Sequence, residues 1–164
     1  MTGKAKAVPE GFHTLTPHLT VRDADKALEF YQKALGAEVL NVARMPDGKV
    51  IHASLRIGDS MLMLNDEFPE MGGLSPLSVG VTIHIYTDNV DEAFNRAVAA
   101  GAQVAMPLMD QFWGDRYGMI SDPFGHKWSI ATHVKDMSQD EMQHAQDEAM
   151  AMAKTPPPRA KKTA

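Results

Sequence analysis

Apolar and polar residues alternate strictly at two places along the chain. In 14–21, Leu15, Pro17, Leu19 and Val21 interleave with Thr14, Thr16, His18 and Thr20. In 81–86, Val81, Ile83 and Ile85 interleave with Thr82, His84 and Tyr86. A period of two predicts a strand with its apolar set on one face and its polar set on the other. Pro17 lacks a ladder donor, which makes its strand irregular or peripheral there. After each strand the apolar spacing lengthens to that of a helix. Ala24, Ala27, Leu28, Tyr31, Ala34 and Leu35 form one stripe, and Val90, Ala93, Phe94, Ala97 and Val98 the other. Asp23 and Asn89 stand where N-caps belong, and Gly36 and Gly101 where a helix stops. Three short strands are predicted after each helix: 38–44, 49–57 and 60–65, then 103–105, 117–121 and 127–132. The strings PDGK, IGDS and DPFG supply turn residues between them. The longer connections are 66–78 and 106–116.

These two passages are copies of one unit. Thr16 and Thr82, His18 and His84, Asp23 and Asn89, Asp25 and Asp91, and Ala27 and Ala93 are all 66 residues apart. Gly36 and Gly101 are 65 apart, and Gly58 and Gly125 are 67 apart. A near-constant offset is the mark of an internal repeat. The fold class is α+β, a single domain over 13–133 made of modules 13–67 and 79–133, each strand–helix–strand–strand–strand. Residues 1–12 are an N-terminal extension. Residues 134–154 read as a C-terminal helix opened by a Ser138/Glu141 capping box. Residues 155–164, with three consecutive prolines and no apolar periodicity, read as a disordered tail.

Composition narrows the function. The 164-residue chain suits one domain, and its net charge of -5 argues against a nucleic-acid partner. It contains no cysteine, which removes disulfides and thiolate metal ligands. Neither a secretory signal nor a run long enough to cross a bilayer is present, so no membrane partner is expected and a cytoplasmic location is the default.

The repeated βαβββ unit, with the strings GDSMLML, DQFWGDRYG and SDPFGHKWSIATH, resembles the vicinal oxygen chelate superfamily and its PhnB-like branch. That superfamily includes glyoxalase I, extradiol dioxygenases, fosfomycin-resistance enzymes and bleomycin-resistance proteins. The resemblance implies two modules side by side, their sheets forming a partial barrel around a cavity with helices outside. In that arrangement Leu15, Leu19, Ile83 and Ile85 meet the helices, and His18 and His84 face each other across the cavity. Enzymes of the superfamily hold a divalent metal from the first and last strands of each module. Those positions fall here on Thr16, Leu62, Thr82 and Ser129. None is a good ligand for zinc, nickel or iron, so the resemblance implies no metal and no cofactor here.

Two functional readings follow. The first is a small-molecule binding protein that sequesters an antibiotic or metabolite, with a partly aromatic or anionic organic ligand held by His18, Thr82, His84, Trp113, Arg116, Tyr117 and Ser129. Trp113 and Tyr117 offer flat apolar area with a polar edge, and Arg116 can grip a carboxylate. Asp110 or Asp115 could equally pair with Arg116 and make that segment structural. The second is a metal-dependent lyase, isomerase or dioxygenase that recruits its ion through His18, His84 or Glu67. His52 reads as a solvent-facing or rim histidine, and His126 as structural. The superfamily's habit of pairing across chains implies a homodimer.

Overall fold

The computed structural model describes residues 9–69 and 80–153. The N-terminal extension, the 66–78 connection and the tail fall wholly or partly outside these residues. The first module runs β1 (His18–Val21), α1 (Ala24–Leu35), β2 (Glu38–Arg44), β3 (Val50–Ile57) and β4 (Ser60–Asp66). The second runs β5 (Thr82–Tyr86), α2 (Val90–Ala99), β6 (Gln103–Asp110), β7 (Asp115–Ser121) and β8 (Lys127–His133), and α3 (Gln139–Ala153) follows. Each module makes one four-stranded sheet, ordered β1-β4-β3-β2 and β5-β8-β7-β6. The orders are identical because the repeat is. In each, the first strand lies parallel to the last, and two hairpins complete the sheet.

Local chemistry accounts for the helices. The Asp23 and Asn89 side chains accept from the backbone N–H groups of Lys26 and Glu92, which relieves free donors at each start. Gly36 ends α1 in the left-handed conformation at φ 66°. Both helices lie on one face of their sheets and touch each other, and the core forms between them. Tyr31, Leu55, Leu64, Ile120, Trp128 and Ile130 are its largest fully buried side chains.

Asp122 ties the modules together. Its carboxylate accepts from the Tyr31 hydroxyl of the first module at 2.7 Å and from the Trp128 indole at 2.9 Å. It also accepts from the backbone N–H groups of Phe124 and His126, each at 2.9 Å. The His126 ring reaches back to the Thr20 carbonyl at 3.2 Å. The structural role expected of His126 is thus a bond between modules. Burial, and then the charge and hydrogen bond of Asp122, push the Tyr31 hydroxyl far above its ordinary range.

Two expectations need correction. Strand β1 begins at His18, and Leu15 is 89% exposed, away from the helices, because Pro17 ends the regular ladder. The 106–116 stretch is not a long connection. Strand β6 continues to Asp110 and only 111–114 turn. Pro107 hid this, since β6 is an edge strand that absorbs the proline through register shifts between Val104 and Met109. Among the described residues no ladder joins the two sheets, so they stay unclosed, in keeping with the partial barrel that the resemblance implies.

Candidate functional site

The helix-free face of the second sheet carries most of the polar and aromatic side chains singled out above. Alternation along β5 places Thr82, His84 and Tyr86 there, while Ile83 and Ile85 pack on the core. The ladder sets His84 opposite Ser129 and Tyr86 opposite Ala131 on β8, and Ala131 opposite Tyr117 on β7. The His84 Nδ1 atom and the Ser129 hydroxyl share a 2.7 Å hydrogen bond, which leaves Nε2 for another partner. The His84 ring lies 4.4 Å from that of Tyr86 and is nearly parallel to that of Tyr117 at 5.9 Å. Trp113 meets Tyr117 edge-on at 5.6 Å. Four rings from β5, β7 and the 111–114 turn thus form one continuous surface.

A buried carboxylate joins the first and last rings of that surface. Asp115 accepts from the Tyr86 hydroxyl at 3.0 Å, the Trp113 indole at 3.1 Å and His133 Nδ1 at 2.8 Å. Burial works against its charge, but the donors from His133, Tyr86 and Trp113 outweigh it and hold its carboxyl below the usual range. His133 also bonds Asp136 at 3.0 Å, and its two carboxylate partners, Asp115 first, raise its pKa. The turn itself is pinned from behind, because the Val134 and Lys135 N–H groups both bond the Gly114 carbonyl. Sequence reasoning passed over Tyr86 and assigned His133 nothing. It offered Asp115 only as a partner for Arg116. The even spacing of Asp115 and Tyr117, and of Ser129 and His133, was the available signal.

The remaining candidates lie elsewhere. Arg116 falls on the opposite face of β7 from Tyr117. Its guanidinium makes a two-pronged pair with Asp91 of α2 at 2.7 and 2.8 Å and a further bond to Asp110 at 3.2 Å. This is the structural alternative for Arg116, and it does not join the ring surface. His18 sits on the first sheet with His52 at 5.8 Å and Asn65, not across a cavity from His84. The reason is that each sheet presents its own open face. Burial and the neighbouring His52 lower the His18 pKa, and the bond to Asn65 partly offsets them. A cleft of about 630 Å³ between the modules is lined by Leu35, Ile57, Leu62, Ile83 and Trp128 among others. It reaches Thr16 and His84 but not His18, Thr82, Trp113, Arg116, Tyr117 or Ser129.

A profile of the Glyoxalase/Bleomycin resistance protein/Dioxygenase superfamily matches residues 11–130. The chain belongs to that superfamily. It is 50% identical over 137 residues to protein Mb0911c of Mycobacterium bovis, covering 80% of this chain and 90% of that one. The superfamily fold recurs in protein PA1353 of Pseudomonas aeruginosa, with a TM-score of 0.63 at 26% identity, covering 75% of this chain and 99% of that one. The PhnB protein of Bacillus cereus shares the fold with a TM-score of 0.60 at 19% identity, covering 73% and 99%.

The superfamily implies a divalent metal, so the donor set at its positions can be tested against this fold. The ladder partner of His84 is Ser129, and the partner of His18 is Met63. The position equivalent to Ser129 is therefore Met63, and Leu62 points into the core at 3% exposure. The assignment to Leu62 was one residue short because the turn before β4 differs in length from the one before β8. Thr16, Met63, Thr82 and Ser129 offer two threonine hydroxyls, a serine hydroxyl and a thioether. Such a set does not fit a zinc, nickel or iron ion of the usual kind. Among the described residues, no three His, Asp or Glu side chains converge as metal ligands anywhere. No helix among them is long and apolar enough to cross a membrane.

Proposed function

We propose that the chain is a small-molecule binding protein that takes a partly aromatic organic ligand on the ring surface of the second module. The observation that carries this reading is the chain of rings from Tyr86 through His84 and Tyr117 to Trp113 on one sheet face. A planar ligand stacked there gains about 0.5–1.5 kcal/mol per ring contact beyond the area it buries. His84 Nε2 adds one directed hydrogen bond, with its ring fixed by Ser129. An anionic group has less to gain, because Asp91 and Asp110 already occupy the Arg116 guanidinium. His84, Trp113, Tyr117 and Ser129 therefore form the heart of the site, with Thr82 on the same face and His18 and Arg116 outside it.

Sequestration of an antibiotic or metabolite is the use this reading supports, without a cofactor, in the cytoplasm. A homodimer fits the open sheet faces, on which Tyr86 is 63% exposed. Sedimentation equilibrium tests that part, and a monomer at micromolar concentration removes it.

Calorimetry with a panel of bicyclic aromatic compounds tests the site. Trp113→Ala is expected to weaken a bound compound at least about tenfold, and Arg116→Ala to leave it within about twofold. Unchanged affinity in Trp113→Ala rejects the ring surface as the site.

A further inference from the structure

We propose that the cleft between the modules is a second small-molecule site, suited to an aliphatic or alicyclic monocarboxylate whose charged end Arg96 receives. Of the four rings of the ring surface it touches only His84 and Tyr86. The two sites therefore stand or fall separately.

The repeat explains why the cleft exists. The modules face each other twice, α1 toward the β7–β8 end of the second and α2 toward the β3–β4 end of the first. Rings fill the first of these places. Phe30 and Tyr31 pack on Phe124 at 5.9 and 6.1 Å, and Tyr31 packs on Trp128 at 5.5 Å. At the offset of 66, the counterparts of Phe30, Tyr31 and Trp128 are Arg96, Ala97 and Leu62. Phe124, just before Gly125, corresponds to Ile57, just before Gly58. All four rings are missing from the second place, and Arg96, Ile57 and Leu62 line the cleft. Protein interiors are close-packed, so the lost ring volume appears as the space of about 630 Å³. Pockets for small molecules span about 300–1,000 Å³. Exposure shows the same asymmetry. Leu19 is buried while its counterpart Ile85, on the cleft wall, is only half-buried. The exposed Leu15 also borders the cleft, so an apolar ligand would cover side chains that now meet water.

The walls select the ligand. Ile57, Leu62, Ile83, Ile85 and Ile130 are aliphatic, which suits an alkyl or alicyclic body. Arg96 donates from Nε to the Ala34 carbonyl at 3.3 Å and, unlike Arg116, makes no ion pair among the described residues. Its terminal nitrogens remain for a carboxylate, which a guanidinium grips in two-pronged fashion. The Asp59 carboxylate, also on the wall, accepts from the Ser60 hydroxyl at 2.9 Å. Its charge opposes a second anionic group, so the ligand carries one.

The test titrates the full chain with decanoate, decanol and decyltrimethylammonium by calorimetry. One decanoate per chain is expected, with the alcohol and the cation each at least about tenfold weaker. Arg96→Gln should weaken decanoate at least about tenfold and leave decanol within about twofold. Ile57→Phe puts back a ring such as Phe124 carries, so it should weaken both at least about tenfold while the melting temperature holds or rises. Circular dichroism checks that both variants fold, and the exposed Arg96 can change without touching the core. Trp113→Ala separates the two sites. It leaves Trp128, on the cleft wall, as the one tryptophan of the chain. Decanoate should shift the emission of that variant with an affinity within about twofold of the parent's. The proposal is overturned if decanoate does not bind at about 1 mM, or if decanol binds as tightly. It is equally overturned if Arg96→Gln or folded Ile57→Phe binds decanoate as the parent does, or if Trp113→Ala abolishes binding.

Discussion

Replacing Asp122 with alanine removes the acceptor that joins the two modules. The Tyr31 hydroxyl and the Trp128 indole are then left without a partner, and these residues are 0% and 1% exposed. Each buried donor left unsatisfied costs about 1–3 kcal/mol, so the two together cost about 4 kcal/mol. Backbone donors from Phe124 and His126 add to this. At about 2–4 °C per kcal/mol for a chain of this size, the midpoint of thermal unfolding falls by about 8–16 °C. Urea unfolding followed by circular dichroism and by tryptophan fluorescence measures the change directly, with coincident curves as the check on two-state behaviour. Tyr31→Phe in the parent loses one bond to a charged acceptor, about 1.5–3 kcal/mol. In the Asp122→Ala background the same change removes an orphaned hydroxyl, so it should restore about 1 kcal/mol. The reasoning fails if Asp122→Ala costs under about 1 kcal/mol, or if Tyr31→Phe destabilises the alanine variant further.

Two other predictions rest on the carboxylate and the turn that hold the ring surface. NMR titration should place His133 above its ordinary pKa, and Asp115→Asn should return it toward the ordinary value. Because folding raises the His133 pKa, its contribution is complete below about pH 6.5 and is lost as pH rises through the folded value. Folding lowers that of Asp115, so its contribution is present above about pH 3.9 and is lost as pH falls through the folded value. An Asp115→Asn variant whose stability keeps the parent's pH profile contradicts this pairing. At Gly114, φ is 94° and a Cβ would stand 2.2 Å from the Lys135 carbonyl oxygen. Gly114→Ala should therefore destabilise by about 2 kcal/mol or more and detach Trp113 from Asp115, seen as a shift in tryptophan emission. A variant with the parent's melting point and emission rules out the close approach.

The repeat, the period of its apolar residues and the cap chemistry of Asp23, Asn89 and Gly36 were enough to settle both modules and both helices. Local interactions decide those features, and the chain states them locally. The face shared by His84 and Ser129 was also open to reading, because a strand's alternation is fixed by its pleat. Which strand lies beside which was not. Arg116 was equally suited to a ligand or to a carboxylate, and only the packing of α2 on β7 brought Asp91 to it. Met63, not Leu62, holds the position that matches Ser129, since a ladder's register depends on turn length and on its neighbour. His18 found His52 instead of His84 for the same reason. Side chains on strands far apart in sequence meet only through sheet order, which arises from long-range burial that no short stretch of sequence records.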